Sequence, residues 1–134
     1  KNRQKLIDPD IEKELHRVVS SQFSNYQCHP IAIGGTEDHI HILTTLSRKV
    51  TIVKLMEEVK KNSSKWIKTK CEKYKNFYWQ EGYAIFSVNP KDIIIVENYI
   101  RSQKKHHSKI SFKDECRRFF LKYNVTYDEK YVWG

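Results

Sequence analysis

The chain has 134 residues, 39% hydrophobic and 13% aromatic, which is enough for one packed core and too few residues for two. Lys and Arg total 25 against 16 Asp and Glu, a formal charge of +9 that favours a polyanion, because neutralising phosphates releases condensed counterions. The composition excludes wholesale disorder, and no apolar run approaches the roughly 20 residues of a membrane span. Three scattered cysteines, Cys28, Cys71 and Cys116, argue against a disulfide framework or a cysteine zinc site and fit a cytoplasmic setting. A single domain over 1–134 is expected, with an aromatic tail over 122–134.

Asp8 is an N-cap residue type with Pro9 at the first helical position, and Ile11, Leu15, Val18, Val19 and Phe23 recur on one face. The spacing predicts a helix over 9–23. A strand over 28–33 ending at Gly34-Gly35 and a second over 38–43 read as an antiparallel pair across a Gly-Gly-Thr-Glu turn. Thr51 opens a second helix carrying Ile52, Leu55, Met56, Val59, Trp66 and Ile67 on one side and lysines on the other, with a break expected near Asn62-Ser63-Ser64. A third strand is predicted over 83–88. Asn89-Pro90 caps a third helix that ends in the cationic run Lys104, Lys105, His106 and His107, matched to the negative end of the helix dipole. Ser111 and Asp114 resemble a capping box for a short fourth helix bearing Phe112, Cys116, Phe119 and Phe120. The order implies an α+β fold, one antiparallel sheet covered by helices. The strand over 38–43 has room for a further neighbour, and a strand missing before Lys1 is expected.

Two features carry chemistry. His39 and His41 are separated by one residue on a predicted strand, so both imidazoles leave the same face. That is a two-ligand metal platform and equally the spacing of a hydrogen-bonded structural pair, since a metal site needs more ligands. Tyr99 and Gln103, four apart, share a helix face, with His106 and His107 about two turns beyond Tyr99. Tyr99 is also placed to continue a core stripe of Ile95, Val96 and Ile100. Lys60, Lys61, Lys65, Lys68 and Lys70 cluster around Trp66, and Lys73 and Lys75 lead into Tyr74, Phe77, Tyr78 and Trp79. Cations interleaved with aromatics suit single-stranded nucleic acid, although Trp66 and Trp79 also suit a core.

Four blocks taken in order, Gly34-Gly35-Thr36-Glu37-Asp38-His39-Ile40-His41-Ile42-Leu43, Asn62-Ser63-Ser64-Lys65-Trp66, the run from Trp79 to Val88, and the run from Tyr99 to His107, resemble the single-tyrosine transposases of the IS200/IS605 insertion-sequence family. The closing segment from Tyr127 to Trp133 is similar to that family's tail. The departure is at the front, where family members carry a strand before the Lys-Asn-Arg segment.

The resemblance implies a ferredoxin-like HUH endonuclease fold. It further implies that His39 and His41 hold a divalent cation, Mg²⁺ or Mn²⁺, with Gln103 as third ligand and Tyr99 as the nucleophile. The implied reaction is cleavage and rejoining of single-stranded DNA at hairpin ends through a 5′-phosphotyrosine, in a homodimer whose tyrosine helix docks in the same or the other subunit. The run from Lys104 to Ser108 would let that helix move between sites. Asp38 would orient a histidine, and His106 and His107 would contact a phosphate or move a proton; each also has a local reading, Asp38 as a turn residue and the histidines as dipole partners. Lys60, Lys61, Lys65, Lys68 and Arg101 are the DNA-binding candidates, and the protein is expected in a prokaryotic cytoplasm, on the nucleoid when DNA-bound. A non-catalytic or domesticated hairpin-binding protein is the alternative. A two-histidine phosphodiesterase fits less well, since it needs two H-x-Thr/Ser motifs and His41 is followed two residues later by Leu43.

Overall fold

The computed structural model of the chain describes residue 7, residues 9–36, 39–79 and 82–102, and five positions beyond, Asp114, Arg117, Arg118, Leu121 and Lys122. Helix α1 (Pro9–Asn25) buries Ile11, Leu15, Val19 and Phe23, the face the spacing predicts; Asp8 lies outside the described residues. The helix runs two residues past Phe23 and stops in a Schellman closure. Cys28 N–H donates to Phe23 O at 3.0 Å and Gln27 N–H to Ser24 O at 3.0 Å, with Gln27 in the left-handed region at φ 58°. An L residue with a Cβ is strained there, so Gln27→Gly is expected to raise the unfolding free energy by about 1 kcal/mol, read from the urea midpoint at constant m-value.

That closure explains why β1 (Pro30–Gly35) starts two residues later than predicted and takes in the glycine pair. Cys28 N–H is spent on the helix cap, and His29 N–H donates to Thr45 Oγ1 at 2.8 Å. Strand β2 (Ile40–Thr44) pairs antiparallel with β1, with Gly35 opposite Ile40, Gly34 opposite His41, Ile33 opposite Ile42 and Ala32 opposite Leu43. The side-chain alternation divides the sheet. Ile33, Ile40 and Ile42 pack into the larger core with Leu15, Val19, Val59 and Ile67, while Ala32 and Leu43 pack with Val96 and Ile100.

Helix α2 (Ile52–Lys68) starts at Thr51, whose side chain accepts from Lys54 N–H at 3.1 Å. The predicted break at 62–64 does not occur. Ser63 Oγ donates to Val59 O at 2.6 Å within the helix and accepts from Trp79 Nε1 at 2.9 Å, so a residue type that often interrupts helices becomes a buried anchor. Trp79 also meets Phe77 edge-on at 5.2 Å and packs on the larger core, as does Trp66. A 3₁₀ turn over Glu72–Tyr74 follows α2.

The predicted third strand over 83–88 is not formed: among the described residues the sheet has two strands, and 82–89 pairs with neither. The segment is entered through Gly82 at φ +83°, leaves Tyr83 and Ile85 exposed, and is tethered by Lys60 Nζ donating to Gly82 O at 2.5 Å. Alternating side chains permit extension, whereas a strand also requires an edge within reach. Asn89 accepts from Lys91 N–H at 3.1 Å, starting a 3₁₀ turn (Pro90–Asp92) that leads into α3 (Ile93–Arg101). Val96 and Ile100 are buried, but Ile95, expected in the same stripe, is 55% exposed. Helix α3 thus covers the face of the sheet opposite α1 and α2, giving the α+β arrangement of a sheet between helices. Asp114, Arg117, Arg118, Leu121 and Lys122 are helical where the fourth helix was expected, with Arg117 Nη1 and Asp114 Oδ1 2.8 Å apart. Among the described residues, no helix is long and apolar enough to cross a membrane.

Candidate active site

The face under α3 brings together three of the predicted residues. His39 precedes β2 and is buried, and His41 lies within the strand. Their rings meet edge-on at 4.9 Å between centroids, as the two-residue period requires. From α3, the Tyr99 ring reaches 6.4 Å from the His41 ring, tilted by 56°. The local reason is glycine. Gly34 sits opposite His41 in the ladder, and a Cβ there would fall 2.2 Å from Ile100 O and 3.2 Å from Ile100 Cγ2. Helix α3 therefore lies directly on the backbone of β1, one residue from Tyr99.

The approach to His39 is equally close. A Cβ on Gly35 would fall 2.2 Å from His39 O, Thr36 N–H donates to His39 O at 3.1 Å, and Thr36 Oγ1 is 3.1 Å from His39 Nδ1. Nothing in a motif reading singles out Thr36 for a role at His39, or Gly34 as the seat of α3. The only signal was the Gly-Gly-Thr run itself, read as a turn.

Gln103, Asp38, His106 and His107 lie outside the described residues. Among the described residues, no three or more His, Cys, Asp or Glu side chains form a metal-binding group, and two imidazoles are by themselves fewer donors than a metal site needs.

The DNA-binding candidates separate by environment. Arg101 is engaged within the fold: Nε and Nη2 bond Glu97 Oε2 at 3.1 and 3.0 Å, and Nη2 also donates to Ile31 O at 3.1 Å, stapling α3 to β1. Lys60 is tied to Gly82 and lies 5.9 Å from the Tyr83 ring. Lys61 and Glu58 form a 3.0 Å ion pair; the Lys61 hydrogen bond holds the Glu58 carboxyl below its ordinary pKa, and the same bond raises that of the Lys61 ammonium. Lys65 and Lys68 are exposed in the last two turns of α2, beside Trp66, whose ring lies 5.0 Å from Lys70 Nζ. A similar contact joins Lys73 Nζ to the Tyr74 ring at 5.3 Å. This cationic and aromatic end of α2 belongs to the layer opposite α3.

The architecture is that of a known fold. It is similar to the crystal structure of a provisionally named transposase from Deinococcus radiodurans R1, with a TM-score of 0.54 at 17% identity over 75% of this chain and 81% of that one. The family model described as "Transposase IS200 like" matches residues 1–103, which includes α1, both strands, α2, α3 and Gln103. The chain belongs to that family of transposases. Comparison with curated proteins gives no significant match.

Proposed function

We propose that this transposase cleaves and rejoins single-stranded DNA at hairpin-bearing ends, with Tyr99 as nucleophile. The observation that carries this reading is the convergence of His39, His41 and Tyr99 of one chain under α3. The donor chemistry fits a divalent cation: two imidazoles, with Gln103 following on the chain as a neutral amide, leave the full charge of Mg²⁺ or Mn²⁺ uncompensated by the protein. When bound, such a cation polarises the scissile phosphate.

The remaining work falls to the chain. The Tyr99 phenol, a poor nucleophile while protonated, loses its proton to solvent or a base as Oη attacks phosphorus. The Oη–P bond forms, the P–O3′ bond breaks, and the leaving oxygen takes up a proton as a free 3′-OH. The DNA is left on Tyr99 through its 5′ phosphate. Attack by a second 3′-OH reverses these steps, so joining uses the energy kept in the phosphotyrosine ester and needs no ATP. With labelled hairpin DNA and Mn²⁺, the expected products are one strand with an extendable 3′-OH and one whose 5′ end is blocked by protein. A 5′-OH on the cleaved strand would overturn this polarity.

Exposed Lys65 and Lys68 beside Trp66 are the cations of the predicted set best placed to follow a DNA backbone. This cluster also supports the second reading, a hairpin-binding protein that does not cut. That reading predicts DNA binding with no protein-linked product. In a homodimer, the contact between Tyr99 and His41 of one chain supports assembly of each site within a subunit. Mixed dimers of a His41→Ala subunit with a Tyr99→Phe subunit are then expected to be inactive, because each site lacks one group. Assembly between subunits would leave one intact site, and cleavage by the mixed dimer would show it.

A further inference from the structure

Thr36 stands outside the predicted set, yet it touches His39 twice. Its N–H closes the turn on His39 O at 3.1 Å, and its hydroxyl oxygen lies 3.1 Å from His39 Nδ1. Gly35 allows this closure, since a Cβ there would fall 2.2 Å from the same carbonyl oxygen and 2.9 Å from Ile40 Cα. The His39 backbone and one ring nitrogen are thus held by adjacent residues of β1 and its exit. His39 is itself buried at 6% exposure, which further restricts its ring.

We propose that Thr36 is a positioning residue: its hydroxyl accepts the Nδ1 proton of His39, fixing the ring plane and placing the metal-binding lone pair on Nε2. The proposal rests on the reading that His39 and His41 hold a divalent cation. Its physical basis is that a neutral imidazole carries one proton, and the partner of one nitrogen decides which nitrogen remains a donor pair. A hydroxyl suits the role because it accepts this hydrogen bond without adding negative charge beside the cation. Partners of this kind set the tautomer and orientation of ligating histidines, and their loss commonly weakens metal binding 10- to 100-fold, as an order of magnitude.

The test compares Thr36→Val, which keeps the shape and loses the hydroxyl, with Thr36→Ser, which keeps the hydroxyl. Each is titrated with Mn²⁺, free ion being read by electron paramagnetic resonance, after circular dichroism has shown a folded chain. Thr36→Val is expected to weaken Mn²⁺ binding by about 10- to 100-fold, and Thr36→Ser to stay close to the wild type. In the metal-free wild type, long-range ¹H–¹⁵N correlations should place the His39 proton on Nδ1, and in Thr36→Val the proton should redistribute between the two nitrogens. Unchanged Mn²⁺ affinity in Thr36→Val, equal weakening in both variants, or a wild-type proton on Nε2 would overturn the proposal alone. Wild-type binding no tighter than that of a His39→Ala, His41→Ala double variant would overturn the metal reading and this proposal with it.

Discussion

A Gly34→Ala chain is expected to fold and to lose about two orders of magnitude in DNA cleavage. The added methyl would fall 2.2 Å from Ile100 O and 3.1 Å from Ile100 C, backbone atoms that cannot turn aside as a side chain end would. Strand β1 is held in register by its ladder to β2, so α3 must lift. Tyr99 precedes Ile100 and moves with it, while the histidines on the sheet stay. A displacement near 1 Å at a reacting group costs on the order of 100-fold, and overpacking of this kind destabilises by roughly 1–3 kcal/mol. Single-turnover cleavage and a urea melt, read together, check both halves. Wild-type cleavage by Gly34→Ala would show that the seat of α3 on β1 does not set the position of the tyrosine.

The second large effect is expected from His41→Ala. His41 is only partly buried on β2, so its removal costs less packing than removal of the buried His39 and gives the cleaner comparison. Loss of one of two imidazoles should abolish measurable Mn²⁺ binding. If polarisation of the phosphate is worth several kcal/mol, cleavage should fall by at least about a thousandfold, at 1.36 kcal/mol for each factor of ten. An unchanged melting temperature alongside that loss separates the chemical role from a structural one. Retained cleavage at unchanged Mn²⁺ dependence would return the histidine pair to its structural reading.

The parts of this molecule that could be read in advance are those set by period and by short motifs. The faces of α1 and α2, the hairpin of β1 with β2, the shared face of His39 and His41, and the cap from Thr51 all follow from spacing and side-chain type. Family resemblance implies that Tyr99 docks beside a histidine pair of the same or the other subunit, and only the packed chain shows Tyr99 beside its own His41. What escaped depends on groups at a distance. Gln27 closes α1 in a conformation that glycine would have announced, and the two-residue shift of β1 follows from that closure. Ser63 looked like a helix break because its partners, Val59 O and the Trp79 indole, become visible only once the chain is packed. The segment over 82–89 alternates like a strand, but alternation cannot reveal which sheet edge lies near. Arg101 reads as a DNA cation by charge, and its part as a staple between α3 and β1 becomes visible only from its bonds to Glu97 and Ile31 O. Thr36 carries no charge and belongs to no motif, so only its distance to His39 Nδ1 singles it out.

The most direct test of the account is chemical. Labelled single-stranded DNA carrying a hairpin is incubated with the protein and Mn²⁺, denatured and resolved on a gel, for the wild type and for Tyr99→Phe, which keeps the ring that packs beside Val96 and Ile100. The expected result is a denaturation-resistant protein–DNA adduct, mapped by mass spectrometry to the peptide containing Tyr99, and none in the phenylalanine variant. An adduct of undiminished yield in Tyr99→Phe would contradict it.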